Sequence, residues 1–241
     1  MAEGEVNAPV AARNTADLPV RMGSAVIMLA LAIGTLIAGG AVFDSFVAIV
    51  ASIAFIEFVL LVVRATPNVS IRLAAIAAGA VYFAVAALVL TGSGDFLIVL
   101  ILGVTVFTDT FAYFTGRAIG GPKIAPTISP SKTWAGLMGG MIGAALWLVV
   151  WVVAIEGGVV GPRFEIGLAL SAESLGLAAM LGASLAVLAQ AGDFFESWLK
   201  RRAGVKDSSK LIPGHGGVFD RVDGMLPVAI AVGTLGAIVL N

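Results

Sequence analysis

MGSAVIMLALAIGTLIAGGAVFDSFVAIVASIAFIEFVLLVV, residues 22–63, decides the fold class. Two apolar runs, 22–40 and 43–63, stand back to back and are separated only by the Gly39-Gly40 pair. A hydrocarbon core about 30 Å thick is crossed by roughly 20 apolar residues in a helix, so each run is long enough to span it. The glycine pair reads as the tight turn of a helical hairpin. Five further runs follow at about 71–90, 95–116, 134–155, 174–199 and 224–240. The fold class expected is all-α: a polytopic integral membrane helical bundle of about seven transmembrane helices, with a polar site on its cytoplasmic side. Residues 21–241 are expected to form one transmembrane domain.

The composition of the 241-residue chain agrees. Hydrophobic residues make up 59% and charged residues 12%, with a mean hydropathy of +1.05. Soluble domains run near about 45–50% apolar and about 25% charged, so an ordinary soluble fold is excluded, and so is a disordered chain. Fourteen basic against fifteen acidic residues give a net charge of −1 and no positive field for nucleic acid. The absence of cysteine removes disulfides, thiolate metal sites and cysteine nucleophiles, and the single histidine, His215, removes a multi-histidine metal site. Residues 1–20, with Pro9, Pro19 and scattered charges, are expected to be a disordered cytoplasmic tail. The first apolar run is full length and leads directly into another, unlike the short core of a cleavable signal peptide.

Basic residues set the orientation, because cytoplasmic loops are enriched in Lys and Arg. With the N-terminus cytoplasmic, that face receives Arg13 and Arg21, Arg64 and Arg72, and then Arg117, Lys123 and Lys132. It also receives Lys200, Arg201, Arg202, Lys206, Lys210 and Arg221, leaving only Arg163 on the other side. The opposite face holds Asp44, Asp95, Glu156, Glu165 and Glu173. The asymmetry supports the seven-span count, although residues 159–172 leave room for an extra membrane-embedded segment.

The polar chemistry is concentrated in two cytoplasmic stretches. The first, TVFTDTFAYFTGRAIGGPKIAPTISPSKTWAG, covers 105–136. Asp109, Tyr113 and Gly116 fall at i, i+4 and i+7 on one helical face. Tyr113 has an ordinary role as an interfacial aromatic. A carboxylate within a span costs about 2.5–3.5 kcal/mol on insertion scales, which marks Asp109 as a ligand or orienting group. Arg117 suits an anchor at the membrane surface. The Gly120-Gly121-Pro122 and Ser129-Pro130-Ser131 segments break the helix and predict a shaped loop. In that loop Lys123 and Lys132 suit either phosphate binding or simple positive-inside charge.

The second stretch, QAGDFFESWLKRRAGVKDSSKLIPGHGGVFDRVDG, covers 190–224. Asp193, Glu196, Ser197 and Lys200 form one polar stripe at the end of the sixth span. An i, i+4 pair between Glu196 and Lys200 explains Glu196 better than it explains the deeper Asp193. The six basic residues between 200 and 221 suit a phosphate-binding pocket or anionic headgroups. Pro213-Gly214-His215-Gly216-Gly217 lets backbone amides cradle an anion, or forms a plain turn; it lacks the spacing of a Walker loop. Asp220 and Asp223 suit either helix capping or, with Asp193, hard oxygen ligation of Mg²⁺. Clustered acids and bases at a membrane surface suit phosphoryl or nucleotidyl transfer between a soluble nucleotide and a lipid. No Ser-centred GxSxG elbow is present, which argues against a triad hydrolase.

The run from Ser197 to Asp223, SWLKRRAGVKDSSKLIPGHGGVFDRVD, resembles the signature of phosphatidate cytidylyltransferases, the CDP-diacylglycerol synthases. DTFAYFTGR at 109–117, SPSKTWAG at 129–136 and QAGDFFES at 190–197 resemble the same family. The resemblance implies a Mg²⁺-dependent reaction of CTP with phosphatidate, giving CDP-diacylglycerol and pyrophosphate, with K⁺ as a second candidate cation. It implies that Asp193 and Asp220 bind metal and that Asp223, Lys206 and Arg221 complete the catalytic group. The substrate-binding set it implies is Asp109, Arg117, Ser129, Lys132, Ser197, Lys200, Arg201, Lys210, His215, Gly216 and Gly217. Expected partners are CTP, phosphatidate and the lipid bilayer, with no nucleic acid. The small residues of Gly136-Leu137-Met138-Gly139-Gly140 suit either a homodimer or intrachain packing.

Two departures stand out. Family members commonly carry Glu after the KTW tripeptide, where this chain has Ala135; activity is reduced if that Glu holds a basic neighbour or a metal-bound water. Seven spans are also fewer than the resemblance implies, so a shortened N-terminal region is expected. Three rivals compete. DRVDG at 220–224 superficially fits a CDP-alcohol phosphotransferase, but the following MLPVAIAVG carries no further acid. A CTP-dependent lipid or polyprenol kinase would release nucleoside diphosphate. An ion-coupled transporter using Asp109 and Asp193 would move substrate without nucleotide turnover, yet no internal repeat is visible.

Overall fold

The computed structural model describes residues 18–157 and 170–239. The expected tail therefore falls mostly outside the described residues, as does nearly all of the possible extra segment at 159–172. Helices occupy all seven expected spans: α1 (Leu18–Ala38), α2 (Gly40–Ala65), α3 (Val69–Gly92), α4 (Asp95–Ala118), α5 (Trp134–Glu156), α6 (Ala172–Arg202) and α8 (Met225–Val239). Among the described residues, α1 to α6 are long and apolar enough to cross a membrane, and α8 is a shorter apolar helix. Exposed Leu29, Ile56, Leu88 and Val150 give these helices lipid-facing surfaces. The chain is an all-α integral membrane bundle.

Three local features go beyond the sequence reading. The shaped loop expected after α4 is an antiparallel hairpin, β1 (Lys123–Ala125) with β2 (Ser129–Thr133), in which Lys123 pairs with Thr133 and Ala125 with Ser129. Gly120 and Gly121 make the reversal before it with φ of 68° and 90°. Thr133 then caps α5, its Oγ1 accepting from the Gly136 amide at 3.0 Å. Second, α6 has 31 residues, about 46 Å of helix, so its last turns project beyond a 30 Å core. Third, a four-residue helix, α7 (Phe219–Val222), precedes α8.

Helix α5 lies between α4 and α6. Its glycines face α4: a Cβ at Gly143 would stand 2.7 Å from the Phe107 carbonyl oxygen and from the Phe111 ring. The small-residue pattern thus serves intrachain packing. Gly143→Leu is expected to lower stability by about 1–3 kcal/mol through overpacking. Gly34→Ala in α1, with open space around its Cβ position, should be neutral or slightly stabilising. Thermal unfolding of both variants in detergent checks this, and equal melting temperatures would contradict it.

A second core joins the helices to the polar end. Phe58 of α2, Phe83 of α3 and Phe219 of α7 pack with ring centroids 5.4–6.1 Å apart, and Phe219 is 1% exposed. This aromatic anchor fixes α7, and with it Asp220, against the bundle. The hairpin, the 203–218 segment and α7 gather at the end formed by the C-termini of α2, α4 and α6.

Candidate active site

Three polar cavities adjoin at this end. The first, of about 500 Å³, is lined by Asp109, Tyr113, Gly116, Arg117, Lys123, Lys132 and Asp193, among others. The second, of about 300 Å³, is lined by Asp109, Asp193, Glu196, Asp207, Asp220 and Asp223, with Lys200 and Arg221 as its cations. The third, of about 420 Å³, is basic, with Arg21, Lys206, Lys210, His215 and Arg221 around a single acid, Asp207. Asp109 and Asp193 belong to the first two, and Asp207 and Arg221 to the last two. An acidic centre is therefore flanked on both sides by cationic walls.

The helical spacing read from sequence accounts for much of this. Asp109, Tyr113 and Gly116 line one wall, and Arg117 Nη1 donates to the Tyr113 hydroxyl at 3.2 Å. Strand β2 lays Lys132 against α6, where its ammonium forms an ion pair with Asp193 and sits 4.6 Å above the Phe194 ring. Ser197 Oγ donates to the other Asp193 oxygen at 3.3 Å. The Glu196–Lys200 pair forms, with Glu196 only 1% exposed. Asp220 extends it to a triad, its Oδ1 lying 2.6 Å from Lys200 Nζ.

Asp220 is held by its surroundings more than by its own helix. Its Oδ2 accepts from the Gly217 amide at 2.7 Å, the Ser208 amide at 2.9 Å and Ser208 Oγ at 2.8 Å. Burial works to raise its pKa, but the Lys200 side chain and the Gly217 and Ser208 amides hold it well below the usual carboxylate range. Asp223 behaves oppositely. Burial, and then the Asp193 charge, push it up to about 7, although its Oδ1 accepts from the Gly224 amide at 2.9 Å.

Several expected site residues also hold the loop and hairpin in place. Ser129 is buried in the hairpin, in register with Ala125, and does not line these three cavities. Arg201 donates to the carbonyls of Ile128 and Val205 at 3.3 and 3.4 Å, tying hairpin to loop. Gly217 contributes its amide to Asp220. The PGHGG turn closes on itself, Ile212 N donating to Gly216 O at 2.8 Å. His215 Nδ1 lies 2.8 Å from Ser24 Oγ of α1, which also donates to the Pro213 carbonyl at 2.9 Å. Ala135 is half-buried in the first turn of α5, beside the hairpin.

Two residues were missed. Asp207 lines both the acidic and the basic cavity. Glu57 of α2 is 4% exposed and binds the 208–219 segment. The insertion cost that singles out Asp109 applies equally to Glu57, and that signal was available in the sequence.

Mg²⁺ takes one or two carboxylates, with the remainder from phosphate oxygens and water. Among the described residues no group of three or more His, Cys, Asp or Glu forms a ready metal cage. The donor chemistry is of the type this ion takes. Asp193 and Asp220 are hard oxygen donors on one cavity, and each already faces a cation, Lys132 and Lys200 respectively.

A family model described as "Cytidylyltransferase family" matches residues 68–239, more than half of the chain. The chain belongs to the cytidylyltransferase family. Among similar proteins, a phosphatidate cytidylyltransferase of Brucella abortus biovar 1 (strain 9-941) is 42% identical over 141 residues, covering 58% of this chain and 47% of that protein. One from Pseudomonas aeruginosa is 41% identical over 144 residues, covering 56% and 46%. One from Haemophilus influenzae is 39% identical over 132 residues, covering 55% and 42%. The chain spans about half the length of the curated relatives it matches. The resemblance read from the signature stretches holds at the level of the family. Glu57, Arg21 and Ser24 lie outside the matched residues.

Proposed function

We propose that this cytidylyltransferase transfers the cytidylyl group of CTP to phosphatidate, giving CDP-diacylglycerol and pyrophosphate, at the cytoplasmic face of a bacterial membrane. The observation that carries the reading is the acidic cavity set between two cationic ones at one end of an apolar bundle. Its relatives' names supply the substrate class. A phosphatidate oxygen attacks the α-phosphorus of CTP, the bond from that phosphorus to the bridging oxygen breaks, and pyrophosphate leaves with the electron pair. The attacking phosphomonoester is already ionised near neutral pH, so no strong general base is required.

The residues divide by charge. Lys206, Lys210 and Arg221 of the basic cavity suit the nucleotide polyphosphate. Lys132, Lys123 and Arg117, beside the apolar spans, suit the lipid phosphate. Asp193 and Asp220 would hold Mg²⁺, with Asp223 beside them; when bound, the ion adds positive charge where the leaving pyrophosphate accumulates its negative charge. The acid excess of the same cavity suits K⁺ as a further occupant. Lys200 keeps Asp220 oriented. A homodimer, if one forms, uses a face other than the α5 glycines, which α4 occupies.

The nucleotide product tests this reading. Purified protein given CTP, phosphatidate and Mg²⁺ is expected to release pyrophosphate, and chelation should stop it. Release of CDP would establish a kinase instead. Substrate flux without nucleotide turnover would establish the transporter, although the three cavities share one end of the bundle rather than a midplane between repeated halves.

A further inference from the structure

We propose that Glu57 is a positioning residue for cytidylyl transfer, setting the 208–219 loop, and through it Asp220, from a helix that lies outside the family-matched residues. This inference rests on the reading of the reaction given above.

Glu57 Oε1 accepts from Ser209 Oγ at 2.6 Å and from the Val218 amide at 3.1 Å. Its Oε2 accepts from the Phe219 amide at 2.8 Å and from Ser208 Oγ at 2.9 Å. Ser209 Oγ and the Val218 and Phe219 amides donate to Glu57 alone, while Ser208 shares its single hydroxyl hydrogen between Glu57 and Asp220, so the carboxylate clamps both ends of the loop, 208–209 and 218–219. Ser208 is the bridge to the reaction site. Its hydroxyl lies between Glu57 and Asp220, and its amide donates to Asp220. The loop passes very close: a Cβ on Gly217 would stand 2.7 Å from Glu57 Cδ. Packing of α2 needs only an apolar residue here, as Phe58 and Leu61 show. A buried carboxylate matched to three donors of its own and one shared with Asp220 is explained by the loop it orders.

The test uses the full chain in detergent, as Glu57→Gln and Ser209→Ala beside the wild type. Glutamine keeps the volume but turns an NH₂ group toward existing donors. Amide hydrogen exchange over 208–219 should quicken in Glu57→Gln. Its kcat should fall about tenfold or more, as expected for lost hydrogen bonds to a charged group. The Mg²⁺ concentration for half-maximal rate should rise, while KM for phosphatidate stays near wild type. Ser209→Ala should shift exchange and Mg²⁺ dependence the same way by less. Wild-type exchange and wild-type Mg²⁺ dependence in a folded Glu57→Gln variant would overturn the proposal, even if its melting temperature were lower. If Glu57→Gln does not fold, Ser209→Ala decides by the same two readouts. Absence of cytidylyl transfer in the wild type would instead defeat the reading of the reaction, while the exchange data still report whether Glu57 orders the loop.

Discussion

Asp220→Asn is expected to lower turnover by about 10²–10³-fold or more while the bundle stays folded, a loss comparable to removing one preorganised electrostatic group from an active site. The reason lies in its partners. One Asp220 oxygen faces the Lys200 ammonium and the other faces three donors, from Gly217 and Ser208. Asparagine has a single acceptor oxygen, so either orientation turns its NH₂ group toward donors. The charge opposing Lys200 is also reduced to that of Glu196. Breaking a buried pair by removing one partner costs about 3–5 kcal/mol locally. The helical cores around Leu185, Val228 and Phe58 do not depend on it. Steady-state rates, with a helical circular dichroism signal as the folding control, check this outcome. A folded variant with more than a tenth of wild-type turnover would remove Asp220 from the site.

The second large effect is expected at Gly216. Its φ is +86°, and a Cβ there would stand 2.6 Å from Asp220 Oδ2 and 3.3 Å from Asp207 Cβ. Gly216→Ala therefore adds left-handed strain of about 1–2 kcal/mol to a collision with the carboxylate that the loop exists to hold. Turnover should fall about tenfold or more, as the Asp220 hydrogen bonds are displaced. Gly204→Ala separates the two causes, because Gly204 has φ +70° with open space around its Cβ position. It should show the strain as lowered stability and keep most of the activity. Equal kinetics for the two alanine variants would mean that backbone strain alone, and not the placement of Asp220, explains the effect.

The spans were legible because membrane helices must satisfy their own backbone hydrogen bonds and need a fixed apolar length. The Gly39-Gly40 turn is found where expected, with both residues at positive φ. Helical spacing also placed Asp109 with Tyr113 and Asp193 with Lys200, since residues three, four and seven apart share a face whatever the tertiary fold. Two things escaped that logic. The β1–β2 hairpin is short and rich in proline and serine, so it carries no strand alternation and shows in the sequence only as a shaped loop. The partners of Asp220 are set by chain segments distant in sequence, above all Glu57, which is 163 positions away. Local periodicity cannot reveal such a pairing. Only the cost of a carboxylate in a span marks Glu57 in the sequence, and that cost names no partner.

Following the α-phosphorus of CTP distinguishes cytidylyl transfer from every rival reaction. Purified protein in detergent is given phosphatidate, Mg²⁺ and CTP labelled at that position, and the lipid is extracted. Label recovered in CDP-diacylglycerol, in step with pyrophosphate release and missing with Asp220→Asn, is the predicted result. Label that stays entirely with water-soluble nucleotide, from a folded protein that binds CTP, would contradict it.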